Sequence, residues 1–172
     1  MSNHTGRDTT SGASIAAPKT AAHAVLIDHA GMVLLVQPSY KTHWHLPGGY
    51  VHEGEPPSAG VAREVCEEVG ISPALPPSPA VIAWAPSNGD RFLFYYVAHV
   101  TAQQAQAVTV DREEIVDARW RHPGDLHRWL HAALAERVHI ALTSPRRDCT
   151  TFLETPGHRP SPPLTGRSGL RR

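Results

Sequence analysis

The stretch GYVHEGEPPSAGVAREVCEEVGI, residues 49–71, decides the fold. Residues 57–69 are predicted to be a helix. Each helical residue turns by about 100°, so with Glu64 at zero Glu67 falls near about 300° and Glu68 near about 40°. Three carboxylates then share one stripe, and Ala62, Val65, Cys66 and Val69 are expected on the opposite side. Acids this close repel: an i, i+4 pair such as Glu64/Glu68 destabilises an isolated helix by about 0.2–0.5 kcal/mol. A solvated helix would interleave lysines, but only Arg63 is near. A cation between the carboxylates would turn the repulsion into attraction, and ligands that are all oxygen select a hard ion, Mg²⁺ or Mn²⁺. Taken alone, the stripe also fits a plain acidic, solvated face.

The residues just upstream shift that balance. Leu46-Pro47-Gly48-Gly49 puts two glycines after a predicted strand edge. Glycine lets a backbone carbonyl or amide come close to a ligand. Glu55 follows Gly54 at the helix entrance, where a carboxylate meets free amides and the positive end of the helix dipole.

Gly49, Glu55 and the run Arg63-Glu64-Val65-Cys66-Glu67-Glu68-Val69-Gly70-Ile71 resemble the complete Nudix box, Gly-x₅-Glu-x₇-Arg-Glu-U-x-Glu-Glu-x-Gly-U with U aliphatic. Trp44-His45-Leu46-Pro47-Gly48 before the box also looks like the family. The resemblance implies an α/β class protein with the Nudix fold, an α/β/α sandwich around a mixed β-sheet. It implies an enzyme, a Nudix-type pyrophosphohydrolase. The expected reaction is metal-dependent cleavage, by water attack on phosphorus, of the diphosphate linkage in a nucleoside diphosphate derivative such as a nucleotide, an ADP-ribose-like molecule or a nucleotide sugar. Glu64, Glu67 and Glu68 are implied to hold Mg²⁺, with Mn²⁺ as the alternative ion and Gly49 offering its carbonyl. Arg63 is implied to orient the carboxylates, and Glu55 to be structural or an indirect ligand. A further catalytic carboxylate often lies outside the box. Glu114 is the expectation here, with Glu113 second. Pro86, 15 residues beyond Ile71, resembles the ADP-ribose-cleaving group. The competing reading is a non-catalytic, nucleotide-sensing Nudix domain. A diphosphate isomerase on a related fold is a third, with Cys66 a poor catalyst if it lies on the apolar face.

Outside the box, the apolar runs Ala24–Ile27 and Met32–Val36 flank Asp28-His29-Ala30-Gly31 and read as a hairpin. Val81–Ala85 and Phe92–Val100 flank Ser87-Asn88-Gly89-Asp90, a second hairpin signal. Ile115–Trp120 reads as a strand. Leu126–Leu142 carries apolar residues at helical spacing and reads as one closing helix. Strands alternating with helices suggest a mixed sheet covered on both faces. Residues 1–20 are expected to be a flexible lead, 21–143 the Nudix hydrolase domain, and 144–172 a flexible Pro/Arg-rich tail with five prolines and six basic residues against two acidic ones.

Lys+Arg and Asp+Glu both number 16 in the 172 residues. With no net charge, no overall field favours nucleic acid or an anionic membrane. A phosphate-bearing small-molecule substrate therefore needs a local cation. No apolar run approaches the roughly 20 residues that span a bilayer. Cys66 and Cys149 lack the spacing of a disulfide framework or a zinc site. With no signal-peptide pattern at the N-terminus, a cytoplasmic monomer or homodimer is expected. Tyr40, Trp44 and His45 could stack on a base, Trp84 reads as core, and His43, His45 and His52 read as surface or hydrogen-bonding residues.

Overall fold

The computed structural model describes residues 17–86, 90–144 and 149–154. Its elements are β1 (Lys19–Ile27), β2 (Val33–Pro38), β3 (Gly48–Tyr50), α1 (Pro57–Val69), β4 (Val81–Ala85), β5 (Arg91–His99), α2 (Ala102–Gln106), β6 (Ile115–Arg121), a 3₁₀ helix (Pro123–Arg128), α3 (Ala132–Thr143) and β7 (Thr151–Glu154). The sheet runs β6-β2-β1-β5-β4-β7, with β3 also paired to β1. β1 lies parallel to β5 and antiparallel to β2 and β3. The sheet is mixed and the class is α/β, as expected.

The central strand explains the layering. Residues on β1 alternate between the two faces of the sheet. Val25 and Ile27 join one core cluster with Leu134, Val138 and Ala141 of α3. Ala22, Ala24 and Leu26 join the other with Val61, Val65 and Val69 of α1. A strand buried on both faces reads as a continuous apolar run rather than an alternating one. α1 begins at Pro57, where a missing amide costs nothing, and ends at Gly70, whose φ of 70° closes the last turn through a bond from its N–H to the Cys66 carbonyl.

Four details differ from the sequence reading. The face of α1 that packs is formed by Val61, Val65, Glu68 and Val69, while Ala62 and Cys66 are exposed. The acidic stripe therefore borders the apolar face instead of opposing it, and Glu68 sits on the shared edge. The closing helix is broken: a 3₁₀ turn precedes α3, and His131 adopts extended backbone and caps α3 through Nδ1. Leu126, Leu130, Leu134 and Val138 still reach one cluster, so the apolar spacing survives the break. α2 was not anticipated, although Thr101 and Gln104 form the reciprocal capping box that signals a helix start. β7 lies inside the expected tail. It pairs parallel to β4, and Leu153 packs on the core. The ladder of backbone bonds orders a segment whose composition alone gives little reason for order. β4 and β5 pair antiparallel as expected, and the turn residues Ser87, Asn88 and Gly89 lie outside the described residues. Among the described residues, no helix is long and apolar enough to cross a membrane.

Candidate active site

β3 carries the twin glycines against the middle of β1, pairing Gly49 with Ala22 and Gly48 with His23. Gly48 has a φ of 132°, and a Cβ there would meet the Ala22 carbonyl and stand 2.7 Å from the His23 Cα. Glycine is required because β1 is that close. α1 lies directly alongside, and the Gly48 N–H donates to Glu68 Oε2 at 2.8 Å.

Arg63 organises the other acids. It donates to Glu55 through Nε at 3.1 Å and through Nη2 at 3.1 Å. Its Nη1 reaches Glu64 Oε1 at 2.8 Å and Glu67 Oε2 at 3.0 Å. Nη2 also donates to the Tyr50 carbonyl at 3.1 Å, fixing the helix to the end of β3. Glu55 accepts in addition the N–H of His52 at 2.9 Å, and these donors, Arg63 foremost, hold its carboxyl down at about 2. Glu55 is thus a permanent anion that positions Arg63.

Glu68 is buried. Burial pushes its carboxyl up to about 7. The Gly48 amide opposes this, Glu64 and Glu114 add like charge, and Lys41 pulls weakly the other way. Glu114 therefore lies within electrostatic reach of Glu68. Its carbonyl accepts the Ser39 N–H at 2.8 Å, which ties its loop to the end of β2.

The donor set suits a hard cation. The side-chain donors are all carboxylate oxygens, the like charges are crowded, and a Cβ at Gly49 would stand 2.6 Å from Glu64 Oε1, so a side chain there would displace that carboxylate. Among the described residues, no three His, Cys, Asp or Glu side chains already converge as a cage. Arg63 and the Gly48 amide engage one oxygen of Glu64, Glu67 and Glu68, which leaves the second oxygen of each carboxylate.

Beside the twin glycines opens a cavity of ≈ 550 Å³. It lies on the α3 side of the sheet, because odd-numbered β1 residues such as Ala21 and His23 point there. Tyr40, His43, Trp44 and His45 line it, whereas Trp84 and His52 do not. Trp84 packs edge-on against Phe92 at 5.0 Å. Trp44 meets Trp129 edge-on at 5.6 Å. The His23 and His45 rings meet edge-on at 4.8 Å. Burial pulls both imidazoles down, His45 to about 4 and His23 well below its usual value. Lys41, Arg91, Tyr95 and Arg137 also line this space, and the sequence reading missed all four. Arg91 and Tyr95 share one face of β5, but Lys41 and Arg137 come from distant segments, and no local pattern joins the three regions.

A family model described as NUDIX domain matches residues 17–141. A Bacillus subtilis (strain 168) protein named as an 8-oxo-dGTP diphosphatase is 30% identical over 105 residues, covering 61% of this chain and 67% of that protein. The MutT protein of Methanosarcina mazei Go1 superposes with a TM-score of 0.63 at 22% identity, over 77% of this chain and 100% of that one. That likeness bears on the fold alone. The NUDIX domain of Shewanella oneidensis NrtR, solved with ADP ribose, superposes with a TM-score of 0.60 at 25% identity, over 78% of this chain and 95% of that one.

Proposed function

The chain belongs to the NUDIX family and is a Nudix-type pyrophosphohydrolase, and from that premise we propose that it cleaves the diphosphate linkage of a nucleoside diphosphate derivative with Mg²⁺ held by Glu64, Glu67, Glu68 and the Gly49 carbonyl. The observation that carries this reading is the joint between β3 and α1. There the Gly48 amide, Gly49 and the acidic stripe meet at the mouth of a cavity.

A bound Mg²⁺ would neutralise diphosphate charge and lower the pKa of a coordinated water. The chain's own residues do the rest. Arg63 fixes the rotamers of Glu64 and Glu67 and is itself fixed by Glu55. The Gly48 amide orients Glu68. Glu68 is buried and lies within electrostatic reach of Glu114, and one of these two carboxylates takes the proton of the attacking water. The leaving phosphate departs in line. Exposed Glu67 is a ligand open to solvent.

The test is release of nucleoside monophosphate or phosphate from ADP-ribose, nucleoside triphosphates, an oxidised nucleoside triphosphate and nucleotide sugars, with Mg²⁺ present. Glu67→Gln and Glu68→Gln should each lower turnover by about 10²–10⁴-fold. Equal hydrolysis by wild type and both variants would remove the box from the chemistry. Tight binding of one compound with turnover of none would instead support the nucleotide-sensing alternative.

A further inference from the structure

The cavity beside Gly48 and Gly49 carries a charge pattern that cleavage of the diphosphate does not use. Lys41 from the loop after β2, Arg91 from the start of β5 and Arg137 from α3 all line it. Among the described residues, no Asp or Glu lines it. The three cations converge on one place. His23 is 7% exposed, faces the cavity, and its Nδ1 has no hydrogen-bond partner. Lys41, Arg137 and Arg91 each act electrostatically on that imidazole. The ring of Tyr95 lies 5.6 Å from it, and Arg137 acts electrostatically on Tyr95 as well as on His23.

A cavity wall that gathers basic side chains around a buried histidine, with no acid among its described lining residues, favours an anion. Lysine and arginine side chains are well matched to phosphate oxygens, arginine in a two-point fork. The acids of the site meet the glycine loop at the Gly48 amide and Gly49 but do not line the cavity, and Lys41 lies within electrostatic reach of Glu68, so a molecule entering past the loop meets both charges. Reading a base edge would call for carboxylate or amide side chains, and the described cavity lining has neither.

We propose that this cavity is an anion subsite that receives a phosphate group carried by the substrate in addition to the diphosphate that is cleaved. The inference rests on the hydrolase reading above. The phosphate is either a monoester on a sugar of the substrate or the terminal phosphate of a nucleoside triphosphate. Both present the same oxygens to Lys41, Arg91 and Arg137.

Compounds compared in pairs differing by one phosphate test it: NADPH against NADH, 2′-phospho-ADP-ribose against ADP-ribose, and GTP against GDP. Binding to the full chain is measured by calorimetry in EDTA, and hydrolysis separately with Mg²⁺. In at least one pair the phosphorylated member should bind about tenfold tighter or more. That ratio should fall toward one in Arg137→Gln and in Lys41→Gln. The first two pairs report a sugar monoester and the third a terminal phosphate. Lys41 is exposed, so its variant keeps the test open if Arg137→Gln does not fold. Equal binding within every pair, or a ratio unchanged in the folded variants, overturns the subsite. A binding preference without hydrolysis of any member overturns the hydrolase reading and leaves the subsite standing.

Discussion

A Cβ on Gly49 would stand 2.6 Å from Oε1 of Glu64, so the loop glycine and the first carboxylate of the helix stripe share one space. The neighbouring glycine is confined differently. At Gly48 the same atom would meet backbone, the Ala22 carbonyl and the His23 Cα, at a φ of 132°.

The two glycines should therefore fail in different ways. Glu64 is the end of a flexible side chain and can move, so Gly49→Ala should fold almost normally yet lose about tenfold or more in kcat/KM as Glu64 is displaced. Gly48→Ala forces backbone strain and should cost about 2–4 kcal/mol of stability. Denaturant melts and kinetics on both variants check this, and matching stability losses would contradict it.

Arg63 engages Glu55, Glu64, Glu67 and the Tyr50 carbonyl at once. Lysine keeps the charge but cannot reproduce that fork. Arg63→Lys should lower turnover by about 10–100-fold, with a smaller change in substrate affinity. Wild-type turnover in Arg63→Lys would show that charge alone suffices.

Glu68 and His45 should pull acid stability in opposite directions. The folded pKa of Glu68 is raised from 4.5 to about 7, so the folded chain binds the extra proton between those values. Stability from this group is present at low pH and lost as pH rises through about 7. Glu68→Gln should then gain about 2–3 kcal/mol at pH 8 in EDTA while losing activity. His45 is lowered from 6.5 to about 4, so the unfolded chain binds the extra proton there. Its contribution is full above 6.5 and falls by about 2 kcal/mol on going to pH 5. Glu68→Gln should unmask that acid loss, and the further change His45→Gln should shrink it. Urea melts at pH 8, 6.5 and 5 decide, and an unshifted pH profile in Glu68→Gln would refute the offset.

β7 covers the edge of β4, with Leu153 against the core. A chain ending at residue 148 should be about 1–3 kcal/mol less stable than one ending at residue 155, and more prone to associate through the bared strand. Thermal melts and light scattering on the two chains measure this. Equal values would make β7 dispensable.

Local order in the chain made much of this legible. The bounds of α1, the acids on its surface and the glycine turn before it follow from helical rotation and from residues no more than 23 positions apart. The paired strands on either side follow from apolar runs and turn residues. Some features escaped because they depend on partners. Whether Cys66 or Glu68 is buried depends on how α1 is rotated against β1, and β7 exists because β4 offers it an open edge.

The site divides along the same line. Helical periodicity within one short stretch put Glu64, Glu67 and Glu68 on one stripe, and the resemblance to the Nudix box supplied the roles expected of them and of Arg63. Only chain packing could bring Lys41, Arg91 and Arg137 around His23. They come from a loop, a strand end and a helix that meet because the two faces of β1 each bury apolar side chains, and no rule of local spacing encodes that meeting.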